Sequence, residues 1–292
     1  MSMDSGLFRD APGPGLVPLY EPKLMHQFDH RWATYVDGST RDLTDAEKAS
    51  PVLSIRARWW APRQEVDARI GDRWPHDWLL CWRDITNATN ERTMIATVIP
   101  RVAVSNKAPI LFPDDESSAT VASLCANLNS FALDYVARRK LGGTSMNYFI
   151  VKQLPVLSPD IYEAPALWEP DQALRDWIAA RVLELSYTAW DLQPFARDLG
   201  YDGPPFKWDV GRRFELRCEL DAAFFHLYGV TREEVAYIMS TFPIVERRET
   251  RAHDSYRSRD RILELYDAMA GGTWRSALHP PAADPLVAHE MR

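Results

Sequence analysis

The chain has 292 residues, 46% hydrophobic and 26% charged, a composition that excludes a disordered protein and leaves room for one large domain or two ordinary ones. No run of about 18 apolar residues exists to predict a membrane-spanning helix, and the opening MSMDSGLFRDAPGPG lacks the basic start and apolar centre of a signal peptide. Three widely spaced cysteines, Cys81, Cys125 and Cys218, form no CxxC pair, which argues against a disulfide framework or a zinc site and fits a reducing cytoplasm.

In chain order, residues 1–18 are rich in Gly and Pro and read as a flexible arm. A mixed-polarity block, YEPKLMHQFDHRWATY, and a polar stretch, DGSTRDLTDAEKAS, follow to residue 50. RWWAP, WLLCWRDI and TMIATVIP are the best strand candidates between 51 and 112, and DARIGDRWPHD between them reads as turn. Val121, Leu124, Leu128, Phe131 and Tyr135 recur at spacings of three and four, predicting one amphipathic helix over about 118–140. Ser117 or Ser118 can cap its start, Arg138, Arg139 and Lys140 suit its C-terminal dipole, and Gly142-Gly143 supply a left-handed stop. NYFIVKQLPVL then reads as extended.

From about 170 the pattern is helical. Leu174, Trp177, Ile178, Arg181, Val182 and Leu185 share one face, and Leu216, Leu220, Ala223, Phe224 and Leu227 another, stopped by Gly229. Thr231-Arg-Glu-Glu234 is a capping box, and Ile262, Leu265, Tyr266 and Met269 mark a last helix before Gly271-Gly272. The tail 271–292 is expected to fray.

Searches for chemistry return little. GxxxxGK[ST], GxGxxG and GxSxG are absent. His26 and His30 in HQFDH are four apart, but the HExxH glutamate of a zinc protease is missing. Asp114 and Glu116 in PDDE resemble the acidic start of a Mg-dependent nuclease site, with no ExK strand after them; an acidic loop capping the next helix accounts for them. His226, on an apolar helix face, reads as a core histidine. Gly203-Pro-Pro-Phe206 reads as a turn between helices, not as the amide- or acid-led proline pair of an amino-methyltransferase. No cofactor is expected.

Charge is unevenly distributed. The net charge of −7 runs against a simple DNA-binding domain, which is ordinarily basic. Residues 51–110 nevertheless carry nine Arg or Lys against six Asp or Glu. The eleven tryptophans supply packing anchors or flat stacking rings; Trp59, Trp60, Trp74, Trp78 and Trp82 can stack on an extruded base, with core packing as the simpler role.

Four blocks carry a family resemblance: Tyr20-Glu-Pro-Lys23 with His26-Gln-Phe-Asp-His-Arg31; Arg83-Asp-Ile85 with Asn90-Glu-Arg-Thr93 and Ile99-Pro100; Leu128-Asn-Ser130 with Gly142, Asn147-Tyr-Phe149 and Gln153-Leu-Pro155; and Glu219-Leu-Asp-Ala-Ala-Phe-Phe-His-Leu-Tyr-Gly229, continuing to Phe242-Pro-Ile244 and Tyr266-Asp267. In this order, over roughly residues 19–270, they resemble the C-terminal target recognition region of Eco57I-like adenine-N6 DNA methyltransferases of type II restriction–modification and phage-defence systems. The third block is also similar to the specificity subunits of type I restriction enzymes. In that family the catalytic and S-adenosylmethionine motifs lie upstream of the resembling part, so the resemblance implies target recognition rather than methyl transfer. It implies two partners, double-stranded DNA and a methyltransferase catalytic domain or subunit, and no membrane.

The implied organisation is α+β: a recognition domain over 19–160 and a helical bracing or docking region over 161–270. Arg56, Arg58, Arg63, Arg69 and Arg73 are the first candidates to face DNA, since Arg reads guanine and contacts phosphate. Arg92, Asn147 and Gln153 are further candidates, each with a structural alternative: a strand tie for Arg92, a turn-stabilising amide for the others. A Mg-dependent nuclease and a non-DNA interaction subunit of a defence complex are the rival expectations.

Overall fold

The computed structural model describes residues 5–276 and Leu278. β1 (Leu16–Tyr20) buries Val17 and Leu19, two positions apart on one face. β2 (Ala33–Val36) and β3 (Ser39–Asp42) form a hairpin. Its turn, Asp37-Gly38, has positive φ at both positions, 49° and 82°, the geometry that the Asp-Gly pair favours in two-residue hairpins. α1 (Asp45–Lys48) opens on a capping box between Thr44 and Glu47. The Arg41 guanidinium and the Thr44 backbone hold the Glu47 carboxyl down at about 2. β4 (Trp60–Pro62) pairs antiparallel with β1.

α2 (Arg63–Ile70) occupies the start of the segment expected to be turn, and a 3-10 turn, Gly71–Arg73, follows it. Only Val66 and Ile70 of α2 are buried, too few apolar positions to announce a helix by periodicity. The three expected strands form: RWWAP holds β4, WLLCWRDI holds β5 (Trp78–Trp82) and TMIATVIP holds β6 (Ala96–Pro100). β7 (Ala103–Val104) lies parallel to β1 on the side opposite β4. β8 (Ile110–Leu111) and β6 flank β5, both antiparallel. Every residue of β5 is buried.

The helix expected over 118–140 is two helices, α3 (Ser118–Asn129) and α4 (Phe131–Lys140). Ser130 adopts an extended conformation between them, and its Oγ accepts from the Leu133 amide at 3.2 Å. Periodicity could not show the break, because the apolar stripe runs on through it. α4 ends at Leu141 in an extended conformation, and neither Gly142 nor Gly143 has a positive φ, so the expected glycine stop is not used. The expected extended segment contains a helical turn, α5 (Tyr148–Val151), capped by the Asn147 side chain. α6 (Pro159–Glu163) and a small ribbon of β9 (Pro165–Ala166) and β10 (Glu169–Ala173) lead into α7 (Leu174–Ser186).

Of the remaining helices, α9 (Val210–Leu227), α10 (Arg232–Ser240) and α12 (Arg257–Ala270) follow the sequence pattern, whereas α8 (Gln193–Asp198) and α11 (Pro243–His253) were not expected from it. Gly203-Pro-Pro-Phe206 joins α8 to α9, the Thr231–Glu234 capping box opens α10, and Gly229 takes φ 64° after α9.

The fold is α+β, and residue 160 does not divide it. α3 lies against β6 on one side and α7 on the other, so the sheets and the C-terminal helices share one core. A helix buried on all sides has no surface at which to separate two domains. The expected arm is part of the sheet from Leu16 onward, and Arg9 exchanges backbone hydrogen bonds with Trp60, both at 2.8 Å; residues 1–4 lie outside the described residues. The expected fraying does not begin at 271. Trp274 is buried against Trp177, and the Ser276 hydroxyl accepts from Arg181 at 2.8 Å. The rest of the expected tail, 277 and 279–292, lies outside the described residues. Among the described residues no helix is long and apolar enough to cross a membrane.

Candidate nucleic-acid interface

The arginine-rich stretch is built by alternation. The Tyr35 amide donates to the Arg56 carbonyl at 2.9 Å, and the Arg56 amide to the Thr34 hydroxyl at 2.9 Å, which fixes residues 55–58 beside β2. Ile55 and Ala57 then face the core, while Arg56 and Arg58 stand in solvent. Arg63 opens α2, also exposed. Among the described residues, none of Arg56, Arg58 and Arg63 forms an ion pair with a carboxylate. Arg58 lies over the Trp59 ring and Arg63 donates to the Arg101 carbonyl at 3.5 Å; Arg69 and Arg73 are exposed and more closely engaged. Arg69 pairs with Glu65 one turn back, and Arg73 donates to the Ile70 carbonyl at 3.2 Å and lies over the Phe112 ring.

Beside this stretch lies a cleft of about 550 Å³, lined by Tyr20, Ile55, Trp60, Arg63, Arg101 and Asp191 among others, a size that suits a small ligand or a single extruded group. His30 meets the Asp191 carboxylate at 2.8 Å. Burial works to raise the Asp191 pKa, but His30 and Arg31 outweigh it and hold the carboxyl below its ordinary value. Burial and the Asp191 charge push the Tyr20 hydroxyl well up, so it stays protonated and able to donate. The cleft therefore offers two guanidinium groups, two carboxylates (Asp77 and Asp191) and a phenol. Asp191 carried no local signal in the sequence, and Tyr20 only its place in the first block; the tertiary fold brings them together.

Arg92 is not at an interface. It is buried, its Nε donates to Asp134 at 2.8 Å, and its guanidinium lies 3.9 Å from the centre of the Phe131 ring. Its role is the strand tie: Nε donates to Asp134 of α4 and Nη2 to the Asn129 carbonyl at the end of α3. Asn147 and Gln153 are exposed, and each also stabilises a turn. Asn147 accepts from the Ile150 amide at 3.2 Å, and Gln153 donates to the Phe149 carbonyl at 2.9 Å. Trp74, Trp78 and Trp82 are core residues, fully buried, with indole N–H groups donating to the Trp78 carbonyl, Asp198 and the Met146 carbonyl. Trp59 and Trp60 are half-buried, and Trp60 lines the cleft.

The other candidates resolve similarly. His26 and Asp29 bridge each other in a tight loop with Phe28 at φ 56°, so His26 and His30 do not share a helix face. Asp29 instead pairs with Lys48 at 2.7 Å, both buried. Asp115 caps α3 through the Ser117 amide and the Thr120 hydroxyl, each at 2.9 Å, and Asp114 and Glu116 remain exposed beside it. Among the described residues no group of three His, Cys, Asp or Glu is placed to hold a metal. His226 meets the Tyr266 carbonyl at 3.0 Å and stacks on its ring, and burial lowers its pKa.

The four sequence blocks meet at one buried polar junction. Gln27, from the first, donates to the Met94 carbonyl at 3.1 Å and the Asn129 carbonyl at 3.3 Å. Arg92, from the second, reaches Asp134. Asn129, from the third, both accepts from the Ala96 amide and donates to the Ala96 carbonyl at 2.9 Å, standing in for a neighbouring strand. Asp221, from the fourth, accepts from the Phe131 amide at 2.7 Å and satisfies the first turn of α4. Compared with known proteins, the chain matches no family model, no curated protein and no solved structure.

Proposed function

We propose that this chain is the sequence-reading DNA recognition module of an adenine-N6 methyltransferase system, in restriction–modification or phage defence. It works in the cytoplasm beside a methyltransferase catalytic domain or subunit that carries the S-adenosylmethionine chemistry. The observation that carries the reading is the set of unpaired arginines. On a chain of net charge −7, Arg56, Arg58 and Arg63 stand in solvent without a carboxylate partner among the described residues, on backbone fixed by the sheet. Exposed arginines held this way gain phosphate or guanine contacts without first breaking an ion pair. The ordered resemblance of the four blocks supports the same reading.

The test is selection from a random duplex DNA pool by mobility shift, with and without a methyltransferase partner, over a range of salt. Enrichment of a sequence, with binding that weakens steeply as salt rises, is expected. If neither condition enriches any sequence, the proposal fails.

A further inference from the structure

A second surface lies at one end of the β6-β5-β8 sheet. The chain has no Asp or Glu between Asp84 and Glu91, between Glu91 and Asp114, or between Asp134 and Asp160. The fold brings loops from these three acid-free stretches together. Ile85 bridges Ser145, the Thr86 amide donates to the Thr144 carbonyl at 3.1 Å, and the Tyr148 hydroxyl donates to the Ile110 carbonyl at 3.0 Å. The carboxylate at their edge, Asp84, is buried and neutralised by Lys107 at 2.7 Å and by the Ser145 hydroxyl. On a globally acidic chain this is a surface that does not repel phosphate.

From its middle projects Phe149, 76% exposed. Its support is rigid. The Tyr148 ring meets the edge of buried Trp82 at 4.9 Å, the Trp82 indole donates to the Met146 carbonyl at 2.6 Å, and the Met146 amide donates to the Asp84 carbonyl at 2.7 Å. Asn147 caps the turn that carries Phe149, and Gln153 donates to its carbonyl. An aromatic ring fixed in water, among amides and lysines and away from carboxylates, has the chemistry of a base-stacking group. Ile85 and Tyr148 are also exposed on this surface, 51% and 48%, and the acid-free loops around them favour a phosphate-bearing partner over a protein.

We propose that Phe149 stacks on a DNA base, with Asn147 and Lys152 contacting the flanking backbone or base edges. This rests on the DNA-recognition reading and adds to it a second contact surface, away from the arginine stretch.

The full chain is bound to a random duplex pool with 5-iodouracil in place of thymine, irradiated at long wavelength, and the crosslinked peptides are mapped. Adducts on the Tyr148–Val151 turn are expected. Phe149→Ala should weaken binding about fivefold or more, and Phe149→Trp should retain it. Since the ring is exposed, both variants should melt as the parent does. Binding unchanged in Phe149→Ala, with adducts only on the arginine stretch, overturns this proposal and leaves the DNA reading standing. Loss of methyltransferase association with crosslinking intact makes Phe149 a protein contact and overturns it too. No DNA binding under any condition overturns both readings.

Discussion

Arg92 and Asp134 form a buried ion pair, Nε to Oδ2 at 2.8 Å, that ties the loop before β6 to α4. The same carboxylate accepts from the Thr93 amide at 3.0 Å and the Met94 amide at 2.8 Å. Removing one member leaves the other's charge buried without its counterion. Arg92→Ala or Asp134→Ala should each cost about 3–5 kcal/mol in denaturant unfolding, much more than an exposed pair would. A double-mutant cycle should show strong coupling. Losses of well under 1 kcal/mol would contradict the tie.

Asn129 offers a sharper probe of the same junction. Asn129→Asp keeps the acceptor for the Ala96 amide but sets a second carboxylate oxygen against the Ala96 carbonyl, where the amide nitrogen now donates. We expect a loss of at least ~2 kcal/mol at neutral pH, partly recovered in acid as the new carboxyl protonates. Hydrogen exchange at Ala96 reads the effect locally. A variant as stable as the parent at neutral pH would refute the pairing with the Ala96 carbonyl.

Burial raises the Asp221 carboxyl to about 6, against the pull of Arg92 and of the Phe131 amide. Its ordinary value is 3.8. Between these pH values the folded chain holds a proton that the unfolded chain has released, so this group's contribution to stability falls as pH rises through the window and is level above it. Asp221→Asn keeps an acceptor for the Phe131 amide and removes the charge. It should raise stability at pH 8 by on the order of 2 kcal/mol, with the gain gone near pH 4. Thermal melts across pH 4–8 check this, and a gain independent of pH would count against it.

If the arginine stretch meets DNA phosphates, Arg56→Ala, Arg58→Ala and Arg63→Ala should each lower the slope of log affinity against log salt by about 1. Arg69→Ala should change it less, because Glu65 already neutralises that guanidinium. Equal slopes across all four variants would exclude the assigned difference.

The thiols give a test of packing. Cys81, Cys125 and Cys218 are free and buried, and burial pushes all three pKa values up. Protonated, sheltered thiols do not attack disulfide reagents. Ellman's reagent should find almost no reactive thiol in the native chain and three after denaturation.

The C-terminal helices were legible because Leu216, Leu220, Ala223 and Phe224 repeat at the helical period and bury the face they predict. The dense apolar run of β5 was legible for a similar reason. The break at Ser130 was not, since Leu128, Phe131 and Tyr135 keep the period across it. α2 was missed because its polar residues outnumber its two buried ones and mask the helical period. The site was legible in part. An arginine at 56 or 58 differs from Arg92 only in what the fold puts next to it, and Asp134 lies 42 residues from its partner. Asn129 and Asp221 carry no local mark of the backbone groups they satisfy.

The position of α3, with β6 on one flank and α7 on the other, makes the two halves of the chain reciprocal templates. Residues 1–157 alone would present the α7-facing side of α3 to water, and residues 158–292 alone would lack the surface against which α7 is ordered. Produced as separate pieces, they are expected to stay poorly structured apart and to regain native circular dichroism on mixing, as complementing fragments of one cooperative unit.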